Sequence, residues 1–160
     1  MSAILKNKKQ RIWICGHSLG GAMATLCASR LEELEPTLYT YGSPRVGGRE
    51  WRDGCDVEHY RFVNNNDIVT AVPLWLMGYR HHGTVRYIDY YGRIKRMTFG
   101  QKVKDQLLGR WKAITKFQLF DGIYDHDIAG GYADKLQALW FEGREKIRKR
   151  ANVGHDRKNV

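Results

Sequence analysis

The sequence predicts an α/β protein with a mostly parallel sheet and helices on both faces. Three observations carry that prediction. Short apolar runs alternate along the chain with stretches of helical periodicity, and strand–helix alternation returns each strand to the same direction in one sheet. One strand-to-helix joint is Gly16-His17-Ser18-Leu19-Gly20, a G-x-S-x-G preceded by the apolar run 11–15 and followed by the small-residue stretch 21–29. No repeat, low-complexity tract or domain boundary interrupts the 160 residues, which suffice for one core.

In chain order, strands are expected at 11–15, 38–42, 58–63 and 84–90. The first helix is expected over 20–35, where Pro36 stops it. A short helix follows at 48–55. Residues 103–120 place Val103, Leu107, Leu108, Trp111 and Ile114 at helical spacing. A last helix is expected over 128–149, ending as an exposed basic helix. The aromatic-rich stretch 75–91 reads as core, with the lining of an apolar pocket as the alternative.

The G-x-S-x-G joint has a mechanical reading. A sharp turn from strand to helix lifts the serine hydroxyl clear of the sheet in strained backbone geometry. It is expected to leave no room for side chains two positions before and after, hence Gly16 and Gly20. Gly21 and Ala22 should let the helix pack tightly on the sheet. The starting helix aims backbone N–H groups and its positive dipole end at a developing oxyanion. The motif thus makes Ser18 a candidate nucleophile.

A nucleophilic serine needs a base and an acid, in the chain order Ser, Asp, His. Asp67 ends an apolar run through three asparagines that favour a tight turn. It should sit at the carboxyl end of a strand, the edge where open α/β sheets collect functional groups. Its alternative is a turn aspartate capping the next segment. Among six histidines, His126 lies in a late, acid-flanked loop before the last helix, where the chain order places the base. His82 is the runner-up, with a hydrogen bond to a neighbouring loop as its structural reading. His17 should point its ring away from the serine oxygen, His59 lies within a strand, and His155 is in the basic tail.

Cys15, Cys27 and Cys55 have no metal-ligand spacing and suggest no disulfide framework. Cys15 is expected buried at a strand end and Cys27 on the first helix. A reducing compartment is the mild preference, and neither a metal nor a cofactor is implied. No run reaches the roughly 18 apolar residues of a membrane span. The first ten residues carry lysines but no apolar signal-peptide core, which makes the cytoplasm the default location. The net charge is +10. A basic tail from about 141 holds Arg144, Lys146, Arg148, Lys149, Arg150, Arg157 and Lys158. Attraction to an anionic lipid surface and nonspecific nucleic-acid contact are the functional readings. A solvated face is the preferred one, and no nucleic-acid-binding signature accompanies the charge.

Beyond the G-x-S-x-G motif, Gly42-Ser43-Pro44-Arg45-Val46-Gly47, Arg61-Phe62-Val63 leading to Asp67-Ile68-Val69, Val72-Pro73, His82-Gly83 with Val85 and Tyr87, and Asp125-His126 with Tyr132 resemble the class 3 lipases, the Rhizomucor-type family. The Gly-Ser-Pro-Arg stretch is the most specific match, because no general rule of serine hydrolases demands it. The resemblance implies an α/β-hydrolase fold and hydrolysis of carboxylic esters in lipids, typically acylglycerols. It implies Ser18 as nucleophile, Asp67 as orienting acid, His126 as base and the Leu19 N–H as one oxyanion donor.

The family carries a far longer stretch before the motif than the fifteen residues preceding Gly16. The expectation is therefore a single partial domain over 1–160, lacking its N-terminal strands, lid and second oxyanion donor. Two further functional readings stay open: a weakly active or inactive remnant serving as an accessory or binding module, and an esterase for non-lipid esters. The remnant could pair with a separately encoded N-terminal half or self-associate through an exposed sheet edge.

Overall fold

In the computed structural model, the residues described are 10–64, 67–89, 93–95 and 126–156, with side chains to 147 in the last helix. They form a five-stranded sheet of sequential order: β1 (Trp13–His17), β2 (Thr37–Tyr41), β3 (Glu58–Asn64), β4 (Thr84–Ile88) and β5 (Ile94–Lys95). The first three pairings are parallel. β5 turns back antiparallel to β4, and Asp89 holds that turn by accepting from the Arg93 amide at 2.9 Å. The four longer strands fall within two residues of their expected positions. β5 was not expected, because two residues cannot display an alternating pattern.

Helix α1 (Leu19–Arg30) crosses from β1 to β2. It buries Ala24 and Ala28 against Leu38 and Val57, with Ile14 and Cys55 packed beside them. Small residues on this face let the helix axis approach the sheet. Gly21 shows how tightly, since an added Cβ would lie 2.8 Å from Ser43 Cβ. α1 stops at Arg30, earlier than expected. A 3₁₀ turn (Glu32–Leu34) and left-handed Glu35 then lead into Pro36.

A short helix α2 (Arg49–Gly54) joins β2 to β3. The last helix, α3 (Asp134–Asp156), follows a single wide π-type turn (Ile128–Ala133). The basic tail expected from about 141 is therefore helical as far as Asp156. The expected helix 103–120 lies outside the described residues. No described helix is long and apolar enough to cross a membrane.

The sheet has two distinct faces. Leu38 and Thr40 of β2 lie in register with His59 and Arg61 of β3 on the α1 side. The other side stacks Tyr39 on Tyr60 and Tyr41 on Phe62, with ring centroids 5.5 and 5.1 Å apart. Tyr132 caps that side, edge-on to Tyr41.

Two expectations fail here. Cys15 is exposed rather than buried, because β1 is the outermost strand among the described residues and Cys15, like Trp13, points away from α1. Residues 75–77 form an exposed 3₁₀ turn rather than core, and the Trp75 indole lies under the Arg80 guanidinium at 6.0 Å.

Candidate active site

β1 runs directly into α1, and Ser18 is the joint. Its φ of 56° and ψ of −130° lie in a region that L-residues rarely adopt, worth about 1–3 kcal/mol of strain. The Ser18 amide donates to the Tyr41 carbonyl at 3.0 Å, which ties the joint to the end of β2. An added Cβ at Gly16 would sit 2.3 Å from the Gly20 carbonyl oxygen, so the turn demands glycine there. Gly20 itself has open space, against expectation. The tight position on the helix side is Gly21.

β3 delivers Asp67 at its carboxyl end, as expected. Asp67 also caps the 3₁₀ turn Ile68–Ala71, accepting from the Val69 amide at 2.9 Å. The alternative reading of this residue, a turn aspartate capping the next segment, is thus realised. The side chain is fully buried, and burial raises its pKa against the hydrogen bonds from Tyr132, His126 and Val69 that favour the carboxylate.

His126 meets both groups. Its Nδ1 lies 3.0 and 3.1 Å from the Asp67 oxygens, and its Nε2 lies 2.8 Å from Ser18 Oγ. A carboxylate only accepts, so Nδ1 carries the proton and Nε2 is left to accept from the serine hydroxyl. Ser18, Asp67 and His126 come from positions far apart in the chain and converge in one hydrogen-bonded line. Leu19 is the first residue of α1, where a helix leaves the backbone N–H without an intrahelical carbonyl.

Three residues that sequence reasoning left unassigned hold this line in place. His17 Nε2 donates to the His126 carbonyl at 2.7 Å, and the two rings lie 4.7 Å apart. The His17 ring thus does point away from the serine oxygen, but it holds His126. The Tyr132 hydroxyl donates to Asp67 Oδ2 at 2.6 Å and accepts from the Asn64 amide at 3.0 Å. Gly42 has a φ of 58°, and an added Cβ would lie 2.6 Å from Asp67 Oδ2 and 3.0 Å from His126 Nδ1. Gly42 opens the Gly-Ser-Pro-Arg stretch, whose specificity is thereby explained. Gly42 makes room for the contact between Asp67 and His126, Ser43 abuts Gly21, and Arg45 Nη1 donates to the Ala71 and Pro73 carbonyls after Asp67.

His82 lies elsewhere. Its Nε2 donates to the Cys55 carbonyl at 3.0 Å and its Nδ1 faces His59 Nδ1 at 3.3 Å. This is its structural reading. Among the described residues no group of three His, Cys, Asp or Glu side chains is placed to hold a metal ion.

The model of the Lipase (class 3) family matches residues 1–77. The chain carries a class 3 lipase segment. Ser18 and Asp67 fall inside it, and His126 lies beyond it. Over 76 residues the chain is 42% identical to Toxin TseL of Vibrio cholerae serotype O1, covering 44% of this chain and 12% of that protein. Over 81 residues it is 38% identical to a secreted mono- and diacylglycerol lipase of Fusarium solani, covering 48% and 24%. The native Rhizomucor miehei lipase–propeptide complex superimposes with a TM-score of 0.52 at 31% identity, covering 58% of this chain and 33% of that one. The class 3 lipase segment thus has the α/β-hydrolase fold of its solved relatives. The chain spans about a quarter or less of these two sequence relatives.

Proposed function

We propose that this chain hydrolyses carboxylic esters of lipids through Ser18, His126 and Asp67. The observation that carries the reading is the continuous line from Ser18 Oγ through both His126 nitrogens to the Asp67 carboxylate. The name of the Fusarium solani relative, a mono- and diacylglycerol lipase, points to acylglycerols as the substrate class.

In this reading the Ser18 oxygen attacks the ester carbonyl while His126 Nε2 takes its proton. Asp67 holds the Nδ1–H tautomer and stabilises the imidazolium that forms. The Leu19 N–H donates to the oxyanion, supported by the positive end of α1. The alcohol departs with the proton from His126. Water repeats the sequence on the acyl-serine and frees the acid.

A fluorophosphonate probe tests the nucleophile. Ser18 should be labelled, Ser18→Ala should abolish labelling, and labelling that persists or moves to Ser43 refutes the assignment.

A second reading, a weakly active segment that needs a complementary one, is favoured by the outer position of β1 among the described residues. Leu19 supplies one oxyanion donor, and loss of a donor costs about 10²–10³ in rate. Turnover of p-nitrophenyl butyrate at least about a hundredfold below that of a full-length relative supports this second reading. Ordinary lipase turnover removes it.

A further inference from the structure

At the base of α3, Lys135 Nζ donates to Asn64 Oδ1 of β3 at 2.7 Å. Farther along, every residue from Trp140 to Ile147 is exposed except half-buried Gly143. Trp140, Phe141 and Ile147 are 54%, 56% and 68% exposed. Large apolar side chains on a helix normally face a core. Trp140 and Ile147 stand seven residues apart and so share one stripe. Phe141 lies edge-on to Trp140 at 5.0 Å, and the Arg144 guanidinium lies over the Trp140 ring at 4.8 Å. Beyond Ile147 the helix continues through Arg148, Lys149 and Arg150.

We propose that α3 from Trp140 onward is a contact for an anionic lipid surface. Trp140, Phe141 and Ile147 enter the headgroup boundary, and Arg144 and the basic sequence that follows it supply the positive charge, while Lys146 is held by Glu142 at 2.6 Å. This deepens the lipid-ester reading above and rests on it for its biological sense. A hydrolase of aggregated esters must reach its substrate at an interface.

Charge selects this occupant over the others. Residues 141–160 carry seven basic and three acidic side chains. The apolar-periodic stretch that could cover α3 from within the chain is itself basic. Residues 93–116 hold Arg93, Lys95, Arg96, Lys102, Lys104, Arg110, Lys112 and Lys116 against Asp105 alone. Packing that stretch, or a second copy of α3, onto this helix brings like charges together. Nucleic acid would answer the charge but leave Phe141 and Ile147 in water. A basic helix presenting Trp, Phe and Ile has the composition of helices that lie in a membrane interface. The surface is also close to the chemistry in sequence, since only residues 127–133 separate His126 from the start of α3.

The test is co-sedimentation of the full chain with vesicles, in the Ser18→Ala background so that binding is read without turnover. Phosphatidylcholine vesicles are compared with vesicles containing about a third phosphatidylserine, for which binding should be at least about tenfold tighter. It should vanish at about 1 M salt. Arg148→Glu with Lys149→Glu and Arg150→Glu should abolish it, and Trp140→Ala with Ile147→Ala should weaken it. Circular dichroism confirms folding, as does fluorophosphonate labelling of the same variants with Ser18 restored. Equal affinity for both vesicles, no binding, binding that survives the charge reversal, or displacement by duplex DNA overturns the proposal. Labelled Ser18 without vesicle binding removes the surface and leaves the site reading standing.

Discussion

Asp67 joins folding to chemistry in one side chain. Its carboxylate caps the turn that follows β3 and also holds His126, while Tyr132 donates to the oxygen that the cap leaves over. His126→Ala should lower ester turnover by about 10⁴ or more. His82→Ala should spare most activity and act mainly on stability, because its partners are Cys55 and His59. Steady-state kinetics of the two variants checks the ranking, and the opposite order would move the base to His82. Gly42→Ala places a methyl where Asp67 Oδ2 and His126 Nδ1 now lie, at a positive φ. That variant should lose Ser18 labelling while retaining its sheet by circular dichroism.

At the scale of the element, β3 carries an unusual cargo on its α1 face. His59 and Arg61 are both buried there. The Thr40 hydroxyl lies 2.8 Å from His59 Nε2, and His82 flanks the other ring nitrogen. Burial, Arg61 and His82 together push the His59 pKa down to about 3, and His81 and His82 shift in the same direction. Between about 6.5 and 3 the unfolded chain binds protons that folded His59 refuses. Stability is therefore full above about pH 6.5 and falls by up to about 1.4 kcal/mol per pH unit as pH drops toward 3. Urea melts at pH 7 and pH 4.5 should show the loss, and His59→Gln should flatten it. Arg61 has register partners Thr40 and Val85, neither charged, and its buried Nε lacks a hydrogen-bond partner. Arg61→Met should be neutral or stabilising by about 1–4 kcal/mol in the same melts, since it removes a poorly compensated buried charge.

The elements themselves were legible because the strands carry short apolar or aromatic runs and the turns between them carry Gly, Pro and Asn. The convergence of Ser18, Asp67 and His126 was legible because their chain order is restricted. His17 and Tyr132 were not, because a side chain that bonds a backbone carbonyl or a distant carboxylate leaves no spacing rule behind. The exposure of Cys15 was hidden for a different reason: a strand's pattern does not say whether it lies inside a sheet or at its edge.

For the molecule as a whole, among the described residues, the two sheet edges are unequal. β5 is two residues long and carries Lys95, a guarded edge. β1 is longer and, among the described residues, pairs only with β2. Beside it Trp13 is 71% and Met23 64% exposed. Such an edge invites strand addition. The isolated chain should therefore be oligomeric in light scattering, and Trp13→Lys should shift it toward monomer. A monodisperse monomer at micromolar concentration would defeat this expectation.

The separation of the three site residues along the chain has a consequence for biosynthesis. Ser18 follows β1 and Asp67 follows β3, the strands on either side of β2, whereas His126 comes 59 residues after Asp67. During translation the serine and the aspartate therefore leave the ribosome before the histidine that joins them. A nascent chain shorter than residue 126 can shape the strand-to-helix joint but cannot close the hydrogen-bonded line across it.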